Sequence, residues 1–267
     1  MPSPIRAAKF VVFFLLLTAC NSAVENIDGT QEKTNQQKSA QQNTPNLIAL
    51  YTFNEGAGET IFDVSGIEPA INLTIVDASA THWIAKGLSI NAETKIRSDV
   101  NADKINNAIA SANALSAEAW VRPANITQSG PSRIISLSQD PSYRNFTLGQ
   151  SGSKYIVRLN TTTNSVNGLP ALETPIDTLT AALTHVVFTW DVSSQTATIY
   201  INGKLISQSD KKFTGDLSFS AFELVLANEI NIADGKPRFW LGEMYMVAIY
   251  DRALSPKEIV QNYNAGF

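Results

Sequence analysis

A single cysteine, Cys20, stands in this 267-residue chain, so no disulfide can form within it and its fold must be held by the core alone. Histidine is almost as scarce. His82 and His185 are the only two, and neither has a neighbouring serine or cysteine with which to form a nucleophile and base pair. Two distant histidines and one cysteine do not make a zinc site. Positive charge is not in excess either: the net charge is −4, which leaves no basic footprint for nucleic acid. The N-terminal apolar run from Phe10 to Leu17 is much shorter than the roughly 20 residues a transmembrane helix needs, which argues against a permanent span. No internal repeat is visible.

What is present divides the chain in two. Between Asn21 and Pro45 the residues are Gln, Asn, Lys, Glu, Ser and Thr with almost nothing to bury, so a flexible tether is expected. From Leu47 onward, short alternating runs punctuated by Gly, Asn, Asp and Pro predict a sandwich or jelly roll. The clearest hairpin places Ala197, Ile199 and Ile201 on one face and Thr196, Thr198 and Tyr200 on the other, then turns at Asn202-Gly203, the pair favoured in a type I′ turn. In the strand before it, Val186, Phe188 and Trp190 form a core face, with His185, Thr189 and Asp191 opposite. Residues 102–114 read equally as a short helix or a long loop. Near the end, Ser255, Pro256 and Glu258 supply an N-cap, an N1 proline and an N3 glutamate, so a helix is expected to begin at Ser255. Val247 and Ile249 share a face with which Met244 is out of phase, predicting a bulge between Met244 and Val247.

Gly242, the run Tyr250-Asp251-Arg252-Ala253-Leu254-Ser255, and Glu258 with Ile259 together resemble the closing motif of laminin G-like and pentraxin-like domains. The stretch from Leu47 to Gly66, LIALYTFNEGAGETIFDVSG, resembles their opening strand and turns. AEAWVRP at Ala117, HVVFTWD at His185 and ATIYINGKLI at Ala197 follow in the family's order. The resemblance covers nearly all of the chain beyond residue 46. It implies an all-β fold, a concanavalin A-like jelly-roll sandwich of two antiparallel sheets with a short C-terminal helix, over residues 47–267. It does not fix function, because lectins, adhesins, glycosidases and structural modules share the shape. At the other end, Arg6, Lys9, the apolar run and Leu17-Thr18-Ala19-Cys20 resemble a bacterial lipobox. That implies a signal peptide over residues 1–19, a lipid on Cys20, a tether over 20–46, and membrane attachment through the lipid. Asn21 after the cysteine favours the outer membrane of a Gram-negative envelope.

Glycosidic hydrolysis usually takes two carboxyl groups about 5 to 10 Å apart. The Glu-x-Asp-x-x-Glu pattern of jelly-roll glycosidases is absent, Glu118 lacks a partner two or four residues away, and both it and His185 read as structural, so no enzyme is expected. The resemblance to pentraxins puts Asn145, Glu229 and Asn231, with the Ile230 carbonyl and Asp234 nearby, at the positions of a calcium and ligand site, although Arg144 stands where an acid would. A second calcium position near Glu55, Asp63 and the Gly66 carbonyl competes with the simpler reading of Asp63-x-Ser65-Gly66 as a tight turn. The polar face of His185, Thr189 and Tyr200, with Asp191 and Thr198, offers groups that hydrogen-bond and stack on sugars, and is equally what a solvated sheet face looks like. Where the laminin G pattern has Ile-Asp-Glu-Val-Arg, this chain has Met244-Tyr245-Met246-Val247-Ala248, which removes two acids and a base and leaves Met244, Tyr245 and Met246 as large, pliable side chains. They suggest either an edge that docks an envelope protein or a strand covered by the chain's own tether or helix. The expectation is a non-catalytic envelope lipoprotein that binds a polysaccharide or other glycan. The alternative is a scaffold docking an envelope protein.

Overall fold

The computed structural model describes Met1 and residues 44–210, 213–231 and 235–267, with the side chain of Asp210 left aside. Cys20, Asp234 and the expected signal peptide lie outside the described residues, as does the tether up to residue 43.

The alternating runs form two antiparallel eight-stranded sheets. Sheet A holds, in order, β14 (Lys204–Asp210), β13 (Thr196–Ile201), β12 (Thr184–Asp191), β7 (Ala114–Pro123), β16 (Gly242–Tyr250), β5 (Gly87–Ile90) and β4 (Thr81–Ile84), with β1 (Leu47–Tyr51) paired to β16. Sheet B holds β11 (Leu172–Glu173), β10 (Lys154–Leu159), β9 (Tyr143–Ser151), β8 (Ser132–Asp140), β15 (Leu224–Leu226), β6 (Ile96–Ser98), β3 (Leu73–Ile75) and β2 (Thr60–Ile61). The core lies between them. Val186, Phe188 and Trp190 pair with Ile201, Ile199 and Ala197, and all six are buried there. Asn202 and Gly203 both take positive φ, 51° and 75°, as a type I′ turn requires.

Residues 102–114 settle as a helix, α1 (Asp103–Ala112), ended by Asn113 in the left-handed conformation. The second helix, α2 (Pro256–Ala265), starts with the expected capping box at Ser255 and Glu258. The predicted bulge is present, between Met244 and Met246. It puts Met244 and Val247 both into the core while Tyr245 and Met246 both face outward. Here the structure corrects the partner-edge expectation: β16 is an interior strand between β7 and β5, and Met244, Tyr245 and Met246 are all buried. The C-terminal Phe267 packs on Tyr245 with ring centroids 4.7 Å apart, so the chain covers this surface itself.

Two side-chain hydrogen bonds join the sheets along their margins. Ser207 Oγ on β14 donates to the Glu173 carbonyl of β11 at 3.1 Å. Trp83 Nε1 on β4 donates to the Gly58 carbonyl, just before β2, at 3.0 Å.

Candidate functional site

The outer face of sheet A was expected to be open, and at His185 it is not. Tyr263 of α2 stacks over Trp120 and His185 at centroid separations of 5.8 and 6.0 Å, and Phe267 adds a contact to Trp120 at 5.4 Å. Beneath this roof His185 Nε2 bonds Glu118 Oε1 at 2.7 Å, while Glu118 Oε2 accepts from Tyr250 Oη at 3.0 Å and Asn262 Nδ2 at 2.9 Å. Glu118 and His185 have no exposed surface. Thr189 and Tyr200 are also buried, and the Thr189 hydroxyl bonds that of Thr198. Of the three residues expected to meet a sugar, His185 lies under α2, Thr189 bonds Thr198, and Tyr200 is buried in the cluster that includes Ile259 of α2, a coverage that alternation within a strand cannot reveal.

What latches α2 is acid-sensitive. The Arg252 guanidinium forks onto Glu258 at 2.9 and 2.8 Å and, with Ser255, holds that carboxyl down to about 2 against a usual 4.5. A depressed carboxyl pKa stabilises the fold above its unfolded value and loses that contribution as pH falls through the folded one. As pH falls from 4.5 toward 2, the fluorescence of Trp120 should report α2 loosening, and Glu258→Gln should lack that part of the transition.

On sheet B a cleft of ≈ 210 Å³ opens at the end of β8, walled by Asn101, Ser138, Gln139, Phe222, Glu223 and Asn231 among others. β8 supplies Ser138 and Gln139, the segment entering β15 supplies Phe222 and Glu223, and the segment leaving β15 supplies Asn231. Behind it sits Glu229. Its Oε2 accepts from Arg133 Nε at 3.1 Å, its Oε1 accepts from the Ile230 N–H at 3.1 Å and from Ser138 Oγ, and Arg144 Nη1 stands 3.8 Å away. All three charged side chains are fully buried. Burial pulls Arg133 down to about 10, opposed by Glu229, and pulls Arg144 to about 9 with repulsion from Arg133 added.

The residues expected to bind calcium gather around this cleft in other roles. Asn231 Nδ2 donates to the Gln139 carbonyl at 2.9 Å across the mouth. Asn145 lies further back. Its Nδ2 donates to Asn106 Oδ1 at 2.8 Å and the Ser220 carbonyl at 2.7 Å, and its Oδ1 accepts from the Ser220 N–H at 2.8 Å, fixing the chain just before Phe222. These donors do not fit a calcium ion. Both Glu229 oxygens are taken, Asn145 Oδ1 is taken, and two guanidiniums would face the dication at close range. Among the described residues no group of three or more His, Cys, Asp or Glu side chains is placed to hold a metal.

At the second position the tight-turn reading matches the geometry. Asp63 accepts from the backbone N–H groups of Leu50, Ser65 and Ile71 at 3.2, 3.0 and 3.1 Å. The Lys104 ammonium sits at 2.7 Å from Asp63 Oδ2 and 2.6 Å from the Ile67 carbonyl, where a cation would be sought.

The profile of the concanavalin A-like lectin/glucanases superfamily matches residues 97–260, from β6 into α2. The chain belongs to that superfamily. Every cleft residue named above falls within the stretch that carries the superfamily match. Among solved structures, a Trypanosoma rangeli sialidase in complex with 2,3-difluorosialic acid is similar over 88% of this chain and 38% of its own length, at 12% identity and a TM-score of 0.61. The receptor-binding domain of botulinum neurotoxin type G is similar over 82% of this chain and 51% of its own, at 18% identity and a TM-score of 0.58. These likenesses are of fold, and the chain spans about half or less of either protein. No curated protein matches it in sequence.

Proposed function

We propose that the chain is a non-catalytic, carbohydrate-binding lipoprotein, held on a bacterial outer membrane through a lipid on Cys20, with the cleft at the end of β8 as its ligand site. The observation that carries this reading is the cleft's lining: the amides of Asn101, Gln139 and Asn231 and the ring of Phe222. Amides match sugar hydroxyls, and an aromatic ring offers a surface for a pyranose. At ≈ 210 Å³ the space is below the roughly 300–1,000 Å³ of drug-sized pockets and suits one sugar residue of a longer chain.

The fold supports the reading in a general way, since the sialidase is solved with a sialic acid derivative and the neurotoxin domain is described as receptor-binding. Absence of catalysis is inferred from the acids. Glu118 and Glu229 have both oxygens engaged inside the protein, and Glu223, the acid on the cleft, is paired with Arg97 at 2.8 Å. A protein partner ranks second, because the strand expected to dock one is interior.

Retention of the full chain, purified in detergent, on immobilised polysaccharides tests the proposal. Asn231→Ala or Gln139→Ala is expected to weaken retention by roughly tenfold, the size of one lost hydrogen bond to a ligand. Retention unchanged in both variants, or none by the wild type on any polymer, would overturn it.

A further inference from the structure

A second cleft adjoins the first, and Asn101 borders both. It measures ≈ 380 Å³ and is walled by the loop before β3, which contributes Ala70 and Asn72, and by the segment from β6 into α1, which contributes Asp99, Val100 and Asp103. All of these residues are exposed, so a ligand meets them from solvent, and the volume falls within the roughly 300–1,000 Å³ of small-molecule pockets.

The sheet explains why the two clefts lie side by side. Leu137 of β8 pairs with Leu224 of β15, the Leu224 N–H donates to Ser98 Oγ of β6 at 3.1 Å, and Ser98 pairs with Leu73 of β3, which brings four neighbouring strands level at one end of sheet B. From β8 to β3 is three strand spacings, roughly 14 Å. That is wider than one sugar residue. The ridge between the clefts is fixed on both sides: the Ala102 N–H donates to the Phe222 carbonyl at 2.8 Å, and Ser98 Oγ donates to the Val100 carbonyl at 2.7 Å. The far wall is held as well, since the Ile71 N–H donates to Asp63 Oδ2 at 3.1 Å and Tyr51 Oη donates to the Ile71 carbonyl at 2.7 Å. Walls set before binding spare a ligand the cost of ordering them.

The second cleft is rich in acceptors. The carboxylates of Asp99 and Asp103 can take hydrogen bonds from sugar hydroxyls, while Ala70 and Val100 offer apolar contact to the C–H groups of a ring. Lys104, the basic residue on this wall, is turned inward, its ammonium 2.7 Å from Asp63 Oδ2 and its side chain nearly buried. The cleft therefore meets a ligand with negative charge, which turns away acidic polymers.

We propose that the two clefts are neighbouring subsites of one groove, and that the ligand is a neutral linear polysaccharide whose internal stretch lies across Asn101 along the end of sheet B. This rests on the glycan reading above and deepens it, adding the charge of the polymer and the length that is held.

The test titrates the full chain, purified in detergent, with oligosaccharides of mannan, xylan and laminarin from the disaccharide to the hexasaccharide. In at least one series the hexasaccharide is expected to bind about tenfold or more tightly than the disaccharide, the size of one added hydrogen bond. Asp99→Ala combined with Asp103→Ala should bring the hexasaccharide down toward the disaccharide. Both side chains are exposed, so the melting temperature should hold, which separates this effect from a loss of fold. A hexasaccharide that binds no more tightly than the disaccharide in every series would overturn the groove while leaving the first cleft in place. An advantage that survives the double variant would overturn it too. Polygalacturonate is expected to bind more weakly than its neutral methyl ester, and the reverse order would overturn the neutral assignment. Binding of no oligosaccharide in any series would remove the inference, and the polysaccharide panel above then decides the glycan reading separately.

Discussion

Glu229→Gln is expected to destabilise the protein by about 3–5 kcal/mol, the cost of breaking a buried ion pair from one side. At roughly 2–4 °C per kcal/mol for a protein of this size, the melting temperature should fall by about 6–20 °C. The reason is the company the carboxylate keeps. Arg133 and Arg144 are fully buried, and Glu229 is the acid that touches them. Glutamine keeps the shape and can still accept from Ser138 or Arg133, so the loss reads out charge rather than volume. Replacing both members of the pair, Glu229→Leu with Arg133→Leu, should cost less than Glu229→Gln alone, since an apolar pair leaves one fewer uncompensated charge. Thermal denaturation of the three proteins checks this, and a Glu229→Gln variant melting within 2 °C of the parent, about one kcal/mol or less, would mean that water reaches the arginines.

Asp63→Ala should be as damaging, for a different reason. It removes the acceptor of three backbone N–H groups, from Leu50, Ser65 and Ile71, and strands the Lys104 ammonium, whose side chain is only 6% exposed. Each buried donor left unmade costs about 1–3 kcal/mol, so a total of about 4 kcal/mol or more is expected. Asp63→Asn retains an oxygen for the turn and loses the charge pairing, and Lys104→Met retains the turn entirely. Urea midpoints should fall in the order Lys104→Met, then Asp63→Asn, then Asp63→Ala, the last being the least stable. If Lys104→Met proved the worst, the ammonium rather than the turn would be what organises this corner.

Local chemistry was legible in the sequence wherever a signal and its partner lie close together. The Ser255 capping box, the Asn202-Gly203 turn and the bulge after Met244 all act within a few residues, and each is found where its residues predict it. The helix over Asp103–Ala112 was undecidable because its N-cap is Ala102, which makes no side-chain hydrogen bond and so leaves no start signal. The sites were the least legible part. Glu118 looked unpartnered along its strand because its partners come from residues 67, 132 and 144 positions away. Lys104 reaches Asp63 across 41 positions. Of the cleft residues, Asn231 and the Ile230 carbonyl were singled out, and the one local hint to the others was the polar pair Ser136 and Ser138 on β8.

The two hydrogen bonds that join the sheets along their margins bear on how this molecule meets others. Sheet B ends in β11 and β2, strands of two residues each, too short to template another chain. Sheet A ends in β4, tied by Trp83 to the opposite sheet, and in β14, which is bulged against β13 and tied by Ser207. A peptide seeking to extend either sheet as an extra strand finds a clipped, twisted or fastened border. Strand addition at these borders, and growth into cross-β fibrils from them, is thereby disfavoured, which leaves loops and clefts as the more open surfaces for contact with other molecules.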